Sequence, residues 1–432
     1  MRTAGWGIVF LAATTLGVVP AALAETLAEA WALADRQDNA LAAVRSQAEA
    51  AELDAAAARG QRWPSLAVGG AYTRLDDSPA FDFGFTGLPI VAPELFGGDD
   101  FWMGSAAVTV PLFTGGRISS SIAAAEARGR SAGAQVEGAE EDVKLAVADA
   151  YVSVLRARKA LRVADSNVTT LESLVSDIGA MFERELVPKN DLLAVQVALA
   201  DARQGRLRAA NAAELALASY NRRVGEPLVR AADLEETLPV PADLPSDPDQ
   251  LVKAAIERRS ELRVLDEQAT AYGHLAKTER SRVLPQLSLT GAYNYLENAF
   301  LDDEDYASVG VGVQWALFDG GQARKRAAAL ERSRRATEQQ RADVESLIAL
   351  QVRQSWLDVD ETRQRIEVTA GAVEQAEENL RIARERYGAG LGTQTQLLEA
   401  ESLRVQALSN RDNAVLDAGL AKLRLARAVG AL

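Results

Sequence analysis

The chain has 432 residues, a formal net charge of −14, no cysteine, one histidine and three methionines. Without cysteine it has no disulfide, no thiolate metal site and no lipid-modified N-terminal Cys, and the single His274 leaves little for transition-metal ligation; no cofactor is expected. An acidic balance also argues against nucleic acid as a partner, because phosphates repel it.

At the N-terminus, Arg2, the apolar run 6–19 and Ala22-Leu23-Ala24 read as a secretory signal peptide, residues 1–24, cleaved before Glu25. A retained anchor is the alternative, but the apolar run is short and no positively charged stop follows it. No later stretch has the length and apolarity of a spanning helix, so any membrane crossing falls to strands. Residues 27–59 follow an Ala-rich helical pattern that ends at Trp63-Pro64, since proline disfavours helix at the residue before it. Leu66, Val68, Gly70 and Tyr72 then alternate with Ala67, Gly69, Ala71 and Thr73, the pattern of a strand. A long exposed loop is expected over 74–100, and a returning strand over 101–112 sets Trp102, Ala106, Val108, Val110 and Leu112 on one side.

That strand ends in Phe113-Thr114-Gly115-Gly116-Arg117 and feeds a helical pattern without proline over 117–185. Leu161, Val168, Val175 and Phe182 recur every seven residues with Leu171 and Ile178 between them, which is coiled-coil spacing. A short break precedes a return helix over 190–224, and a Pro-rich linker follows over 226–248. The pattern then recurs. Phe113 and Phe318 are 205 residues apart, as are Tyr151 and Trp356, Phe182 and Tyr387, Leu186 and Leu391, and Val224-Gly225 and Val429-Gly430. Upstream of the strands the separation is 221, as between Pro64 and Pro285. Two copies of one unit, 25–225 and 249–432, thus replace the several domains that length alone suggests.

The second copy expects a helix over 266–282 before its strands. Leu287, Leu289, Gly291, Tyr293 and Tyr295 there oppose Ser288, Thr290, Ala292 and Asn294. Val309, Val311, Val313, Trp315 and Leu317 oppose Ser308, Gly310, Gly312, Gln314 and Ala316. The turn Phe318-Asp319-Gly320-Gly321 opens a helix over 322–386, whose seam is Ile366, Val373, Leu380 and Tyr387 with Ala376 and Ala383, and a return helix over 395–429 closes the chain. Such alternation fits either a soluble sheet on a core or a membrane barrel with lipid outside and water inside. Tyr72, Trp102, Tyr293, Tyr295 and Trp315 lie toward strand ends, where membrane proteins place rings at the headgroup level. A spanning barrel needs about eight strands and tolerates no open edge in lipid. This chain offers four, so a membrane barrel would be shared among copies, and a dimer, trimer or tetramer each satisfies the count.

With these features the chain resembles the TolC-like outer-membrane efflux proteins. The resemblance rests on the opening Glu25-Thr26-Leu27-Ala28-Glu29-Ala30-Trp31, both Pro-x-Leu strand entries, both Phe-x-Gly-Gly exits, the Pro-rich linker and both Val-Gly repeat ends. It implies a mixed fold of four transmembrane strands and very long coiled-coil-like helices per chain. It further implies a homotrimer with a 12-stranded β-barrel in the outer membrane, continued by an α-helical barrel across the periplasm. Such proteins are exit ducts for inner-membrane pumps of RND, ABC or MFS type, or for type I secretion, docked through a periplasmic adaptor protein. Many relatives carry a lipidated cysteine at the mature N-terminus; Glu25 stands there here.

The resemblance also places the gate at the tips, where the long helices turn back. Asp191 matches a tip carboxylate that bonds to a tyrosine at the position of Tyr387, and Glu399 matches an acidic position that rings the closed entrance. Gly392 replaces the arginine that pairs with the tip carboxylate in the best-known member, and Gln396 replaces a second ring carboxylate, so Arg384 or Arg386 is the substitute to look for. Leu186, Gly390 and Leu391 match positions where adaptor tips dock. Local chemistry offers other roles for the same residues. Asn190 or Asp191 fits a helix N-cap, Thr393-x-x-Gln396 has capping-box spacing, and Leu186 and Leu391 suit the packing of a tight helical turn. A ring of Glu399 copies would hold cations and repel anions, whereas a solvated helix face is the plainer use. No second His, Cys or phosphate-cradling loop supports an enzyme. The rival function is a periplasmic coiled-coil tether with a small soluble sheet and no pore.

Overall fold

The computed structural model describes residues 24–77, 96, 98–239, 247–298 and 302–432. The signal peptide expected over 1–24 (apart from Ala24), most of the loop expected over 74–100 and part of the 226–248 linker lie outside the described residues. Two compact units are distinguished, one drawn from 1–37, 146–240 and 361–421, the other from 38–145, 241–360 and 422–432. In chain order the elements are α1 (Leu27–Gln37), α2 (Asn39–Gly60), β1 (Ser65–Arg74), β2 (Asp100–Phe113), α3 (Arg117–Glu183) and α4 (Lys189–Arg223). The second copy supplies α5 (Pro248–Arg258), α6 (Ser260–Arg280), β3 (Gln286–Leu296), β4 (Asp305–Gln314), α7 (Gln322–Gly388) and α8 (Gln394–Val429).

The duplication is written into the backbone. Among the described residues, Gly115, Gly116, Glu185 and Gly225 have positive φ in the first copy, and Gly320, Gly321, Gly390 and Gly430 have it in the second. Each pair is 205 residues apart. The expected helix over 27–59 is two helices, because Asp38 takes an extended conformation and its carboxylate accepts from the backbone N–H of Ala40 (2.7 Å) and Leu41 (3.0 Å). Such a side-chain cap starts a new helix rather than continuing the old one. Arg259, 221 residues on, is extended in the same way and separates α5 from α6. Each break is where the end of its own repeat approaches. A Cβ on Gly225 would lie 2.4 Å from the Cβ of Gln37, and one on Gly430 would lie 3.2 Å from the Cβ of Arg258. Both glycines of the Val-Gly ends are therefore required twice, for a left-handed turn and for close approach.

The strands form one antiparallel sheet in the order β1-β2-β3-β4. Residues paired across antiparallel strands share a face, so the register tests the alternation directly. Leu66 pairs with Val108, Val108 with Gly291, and Gly291 with Val309. Val68, Ala106 and Tyr293 form the next row toward the loops, and Val110, Leu289 and Val311 form the next row toward the helices, all on the same face. One face is apolar across all four strands. The other carries Ser65, Thr109 and Thr290 in one row and Ser105 with Asn294 in another. Among the described residues nothing covers the apolar face: Leu66, Val68, Val309, Val311 and Val313 are between 63% and 82% exposed. β1 and β4 are the sheet's edges.

Two details differ from the sequence reading. β2 shifts register between Pro111 and Phe113, a bulge at the residue that has no N–H to donate. β4 stops at Gln314, so Trp315, Leu317 and Phe318 lie past the ladder. The pairing runs out there because Gln314 faces Gln286, the first residue of β3. The Trp315 indole N–H instead donates to the Val283 carbonyl at 3.0 Å. Part of each seven-residue seam is a buried contact, while Leu161, Phe182 and Ile366 are only half-buried. Val373, Ala376, Leu380 and Tyr387 are buried, and with them Leu171, Leu174 and Ile178, while Val168 and Val175 border that cluster. Leu174 falls outside the expected heptad positions because α3 packs against α4 as well as α8, which widens its buried stripe.

Candidate functional site at the helical tips

Both long helices turn back through the same backbone device. After α3, the N–H of Leu186 donates to the Met181 carbonyl (3.0 Å) and that of Glu185 to Phe182 (2.9 Å). After α7, Leu391 donates to Arg386 (2.8 Å) and Gly390 to Tyr387 (3.0 Å). This is the Schellman pattern, with its left-handed residue at Glu185 (φ 58°) and at Gly390 (φ 73°). Leu186 and Leu391 follow the left-handed residue and project outward, 65% and 73% exposed. The two turns differ in how the return helix starts. α8 begins with the capping box: Thr393 N–H donates to Gln396 Oε1 (3.2 Å), and Gln396 N–H donates to Thr393 Oγ1 (3.3 Å). α4 begins at Pro188 with no side-chain cap, which leaves Asn190 and Asp191 free of that duty.

Asp191 spends its carboxylate elsewhere. The Tyr387 hydroxyl, on the other long hairpin, donates to Asp191 Oδ2 at 3.1 Å, and Asn190 Nδ2 donates to Oδ1 at 3.3 Å. Tyr387 is 7% exposed within the cluster of Leu171, Leu174, Ile178, Val195, Leu380 and Leu397. Burial, then the bond to Asp191, pushes its phenol up to about 12, so the hydroxyl keeps its proton and remains a donor. The contact ties the start of α4 to the end of α7. A hydrogen bond of this kind to a charged group is worth about 1.5–3 kcal/mol, enough to hold a helix pair and weak enough to break.

A sheet whose apolar face no described residue covers, on a duplicated chain whose long helices turn back at tips joined by a tyrosine–aspartate hydrogen bond, narrows the possible families. The model of the family "Outer membrane efflux protein" matches residues 32–225 and 251–431. The chain belongs to the outer membrane efflux protein family. It is 31% identical over 156 residues to the outer membrane efflux protein BepC of Brucella suis biovar 1, a match spanning 35% of this chain and about a third (34%) of BepC. Its fold is that of the outer membrane protein VceC of Vibrio cholerae (TM-score 0.80, 17% identity, 94% of this chain and 96% of VceC). The Campylobacter jejuni CmeC outer membrane channel matches equally well in fold (TM-score 0.81, 13% identity, 94% of this chain and 85% of CmeC).

Within this efflux-protein frame, the remaining tip residues fall into distinct positions. Gln396 is held in its capping box rather than directed at a latch. Arg386 Nη2 lies 3.4 Å from the Leu391 carbonyl, within its own turn, and does not pair with Asp191. Glu399 is exposed on α8, flanked by the buried Leu397 and Ala400. Two features escaped sequence reasoning. Glu185 occupies a left-handed position where the second copy has glycine, a cost visible only from the backbone. Glu401, 2% exposed, pairs with Arg404 at 2.7 Å, and that guanidinium reaches Ser166 and Thr170 at 3.4 Å, tying α8 to α3. Its only sequence signal was an acid followed three residues later by a base, which is common on solvated helices.

Proposed function

We propose that three copies of this chain close a 12-stranded barrel through the outer membrane. It would be continued by a helical tunnel that serves as the exit duct for an inner-membrane pump engaged through a periplasmic adaptor. The observation that carries this reading is the sheet: apolar on one face across all four strands in register and, among the described residues, uncovered and with both edges open. Lipid would cover that face and neighbouring copies would pair the edges; strands of 10 to 14 residues are long enough to cross. The tether alternative requires a sheet packed on a core, and the exposure of Val309 and Val311 argues against it. Tyr72, Trp102, Tyr293 and Tyr295 line the loop end of the lipid face and Trp315 the helix end. Residues 1–24 would be removed on export.

In this reading Asp191 and Tyr387 latch the entrance, Glu399 rings it in three copies, and Leu186, Gly390 and Leu391 meet the adaptor. Reconstituted protein should give cation-favouring channels in planar bilayers and fractionate with outer membranes; a washable, non-conducting monomer would overturn the duct. Tyr387→Phe deletes one hydroxyl and should raise leak conductance without altering insertion. Because the phenol is raised in the folded chain, the latch is complete below pH 10, the ordinary tyrosine value, and fades as pH climbs toward about 12. Leak that is identical in wild type and Tyr387→Phe removes Tyr387 from the gate.

A further inference from the structure

Charge is sorted by end around the sheet. Where strands meet helices, a cation flanks every strand: Arg62 precedes β1, Arg117 follows β2, Arg282 precedes β3, and Arg324, Lys325 and Arg326 follow β4. At the loop end Arg74 closes β1, but the described flanks are otherwise acidic, with Asp76, Asp77, Asp99, Asp100 and the run 302–305. The chain as a whole is at −14, so a basic collar is a local reversal.

The cluster after β4 runs against the preference of its own helix. Arg324, Lys325 and Arg326 lie in the first five residues of α7, where the helix dipole favours acids and disfavours cations, and α7 has no acid in its first turn. All three side chains are exposed, and none is in an ion pair among the described residues. Of the two acids closest in sequence, Asp319 is committed to the backbone, accepting from Gly321 N–H (2.8 Å) and Ala323 N–H (2.7 Å), and Glu331 pairs with Arg280 and Arg334. Just before the cations lies exposed apolar surface, with Phe318 87% exposed and Trp315 and Leu317 also open, and at the same end of the sheet Trp63, before β1, is 74% exposed. At 1.5 Å per residue, the cations lie within about 6 Å of the start of α7. The headgroup layer on each side of a bilayer's hydrocarbon core is about 5–8 Å deep.

We propose that the helix end of the sheet is a binding surface for anionic phospholipid headgroups. Arg324, Lys325 and Arg326 take the phosphates, and Trp63, Trp315 and Phe318 sit at the hydrocarbon border. The proposal rests on the reading of the sheet as membrane-spanning. A guanidinium or ammonium donates charge-assisted hydrogen bonds to phosphodiester oxygens. Phosphatidylglycerol keeps its net negative charge, whereas phosphatidylethanolamine carries an ammonium of its own and cancels most of the attraction. Among the described residues the loop end sets one cation, Arg74, against a cluster of acids, so the lipid contact is one-sided and orients the sheet with its helix end toward the leaflet that holds anionic phospholipid.

The test titrates detergent-solubilised full-length protein with phosphatidylglycerol or phosphatidylethanolamine and counts retained lipids by native mass spectrometry. The same preparation is assayed for conductance in planar bilayers. Phosphatidylglycerol should be retained preferentially, and less so at high salt. Replacing Arg324→Gln, Lys325→Gln and Arg326→Gln together should cut that preference by roughly fivefold for each charge removed, in protein that still conducts. Arg324→Lys with Arg326→Lys should keep it. Equal retention of the two lipids by conducting wild-type protein, or an unchanged preference in the triple variant, overturns the proposal and leaves the channel reading standing. Protein that neither enters bilayers nor conducts overturns both.

Discussion

The first repeat ends at Tyr220-Asn221-Arg222-Arg223-Val224-Gly225 and the second at Leu425-Ala426-Arg427-Ala428-Val429-Gly430, and both stop in the same way. Glu226 N–H returns to the Asn221 carbonyl (2.8 Å) and Ala431 N–H to Ala426 (2.8 Å), each past a left-handed glycine. The chemistry mounted on this shared backbone is different. Tyr220 is fully buried and donates to Glu25 Oε1 at 2.6 Å, while Arg230 pairs with Glu25 Oε2 at 2.8 Å. Its counterpart Leu425 joins an apolar cluster with Leu251, Leu262, Ile348 and Val352. Arg222 is exposed, whereas Arg427 is 8% exposed among Glu141 (3.1 Å), Asp142 (2.7 Å) and Glu261 (2.9 Å). Duplication preserved the terminating geometry, and what each end must dock against rewrote the side chains.

Breaking the buried charge cluster should sharpen this contrast most. Arg427→Met leaves Glu141 and Glu261 without their shared partner and should cost about 3–5 kcal/mol. Arg222→Met, at the equivalent exposed position, should stay within about 0.5 kcal/mol. Thermal unfolding followed by circular dichroism in detergent reads both, and equal shifts would erase the distinction. The same cluster sets an acid limit. Burial pushes the Glu261 carboxyl up, but hydrogen bonds from Arg259 and Arg427 overcome it and hold the group at about 2. A depressed carboxyl stabilises the fold fully above its ordinary value of 4.5 and loses that contribution as pH falls toward 2. Arg427→Met should flatten that part of the acid profile.

A smaller effect is expected at the first repeat end. Tyr220→Phe keeps the ring but removes a donor to a partly buried carboxylate, for a loss of about 1.5–3 kcal/mol in the same unfolding measurement. No change would mean that Arg230 alone satisfies Glu25. The smallest expected effect lies at the tips, where the copies differ at one left-handed residue. Glu185→Gly should stabilise by about 1 kcal/mol, because a side chain at positive φ is strained and glycine is not, and Gly390→Ala should destabilise by a similar amount. Opposite signs at equivalent positions are the outcome to look for; like signs would contradict equal backbone geometry.

Much of the fold was legible without coordinates. The 205-residue separation, the Phe-x-Gly-Gly exits and the Val-Gly ends anticipated two copies of one strand-helix unit. Alternation across β3 and β4 assigned the faces that the register then matched. Less of the tip was readable. Spacing permitted Asp191 either to cap α4 or to reach Tyr387, and Gln396 either to cap α8 or to face the entrance, because a polar residue near a helix start suits several partners. Only packing distinguishes them. Pro188 starts α4 without a side-chain cap and Tyr387 is buried within reach, so Asp191 bonds the tyrosine, whereas Thr393 claims Gln396.

By itself the sequence determined what depends on period and on single-residue conformational limits: strands by alternation, helices by seven-residue spacing, turns by glycine. Tertiary structure alone decided which polar groups meet. It ended β4 before Trp315, put Leu174 in the core and buried Arg427 while leaving Arg222 in solvent. The reason is physical. Periodicity is a property of a few adjacent residues, but burial and hydrogen-bond partnership depend on chain brought in from other elements, in places more than a hundred residues away.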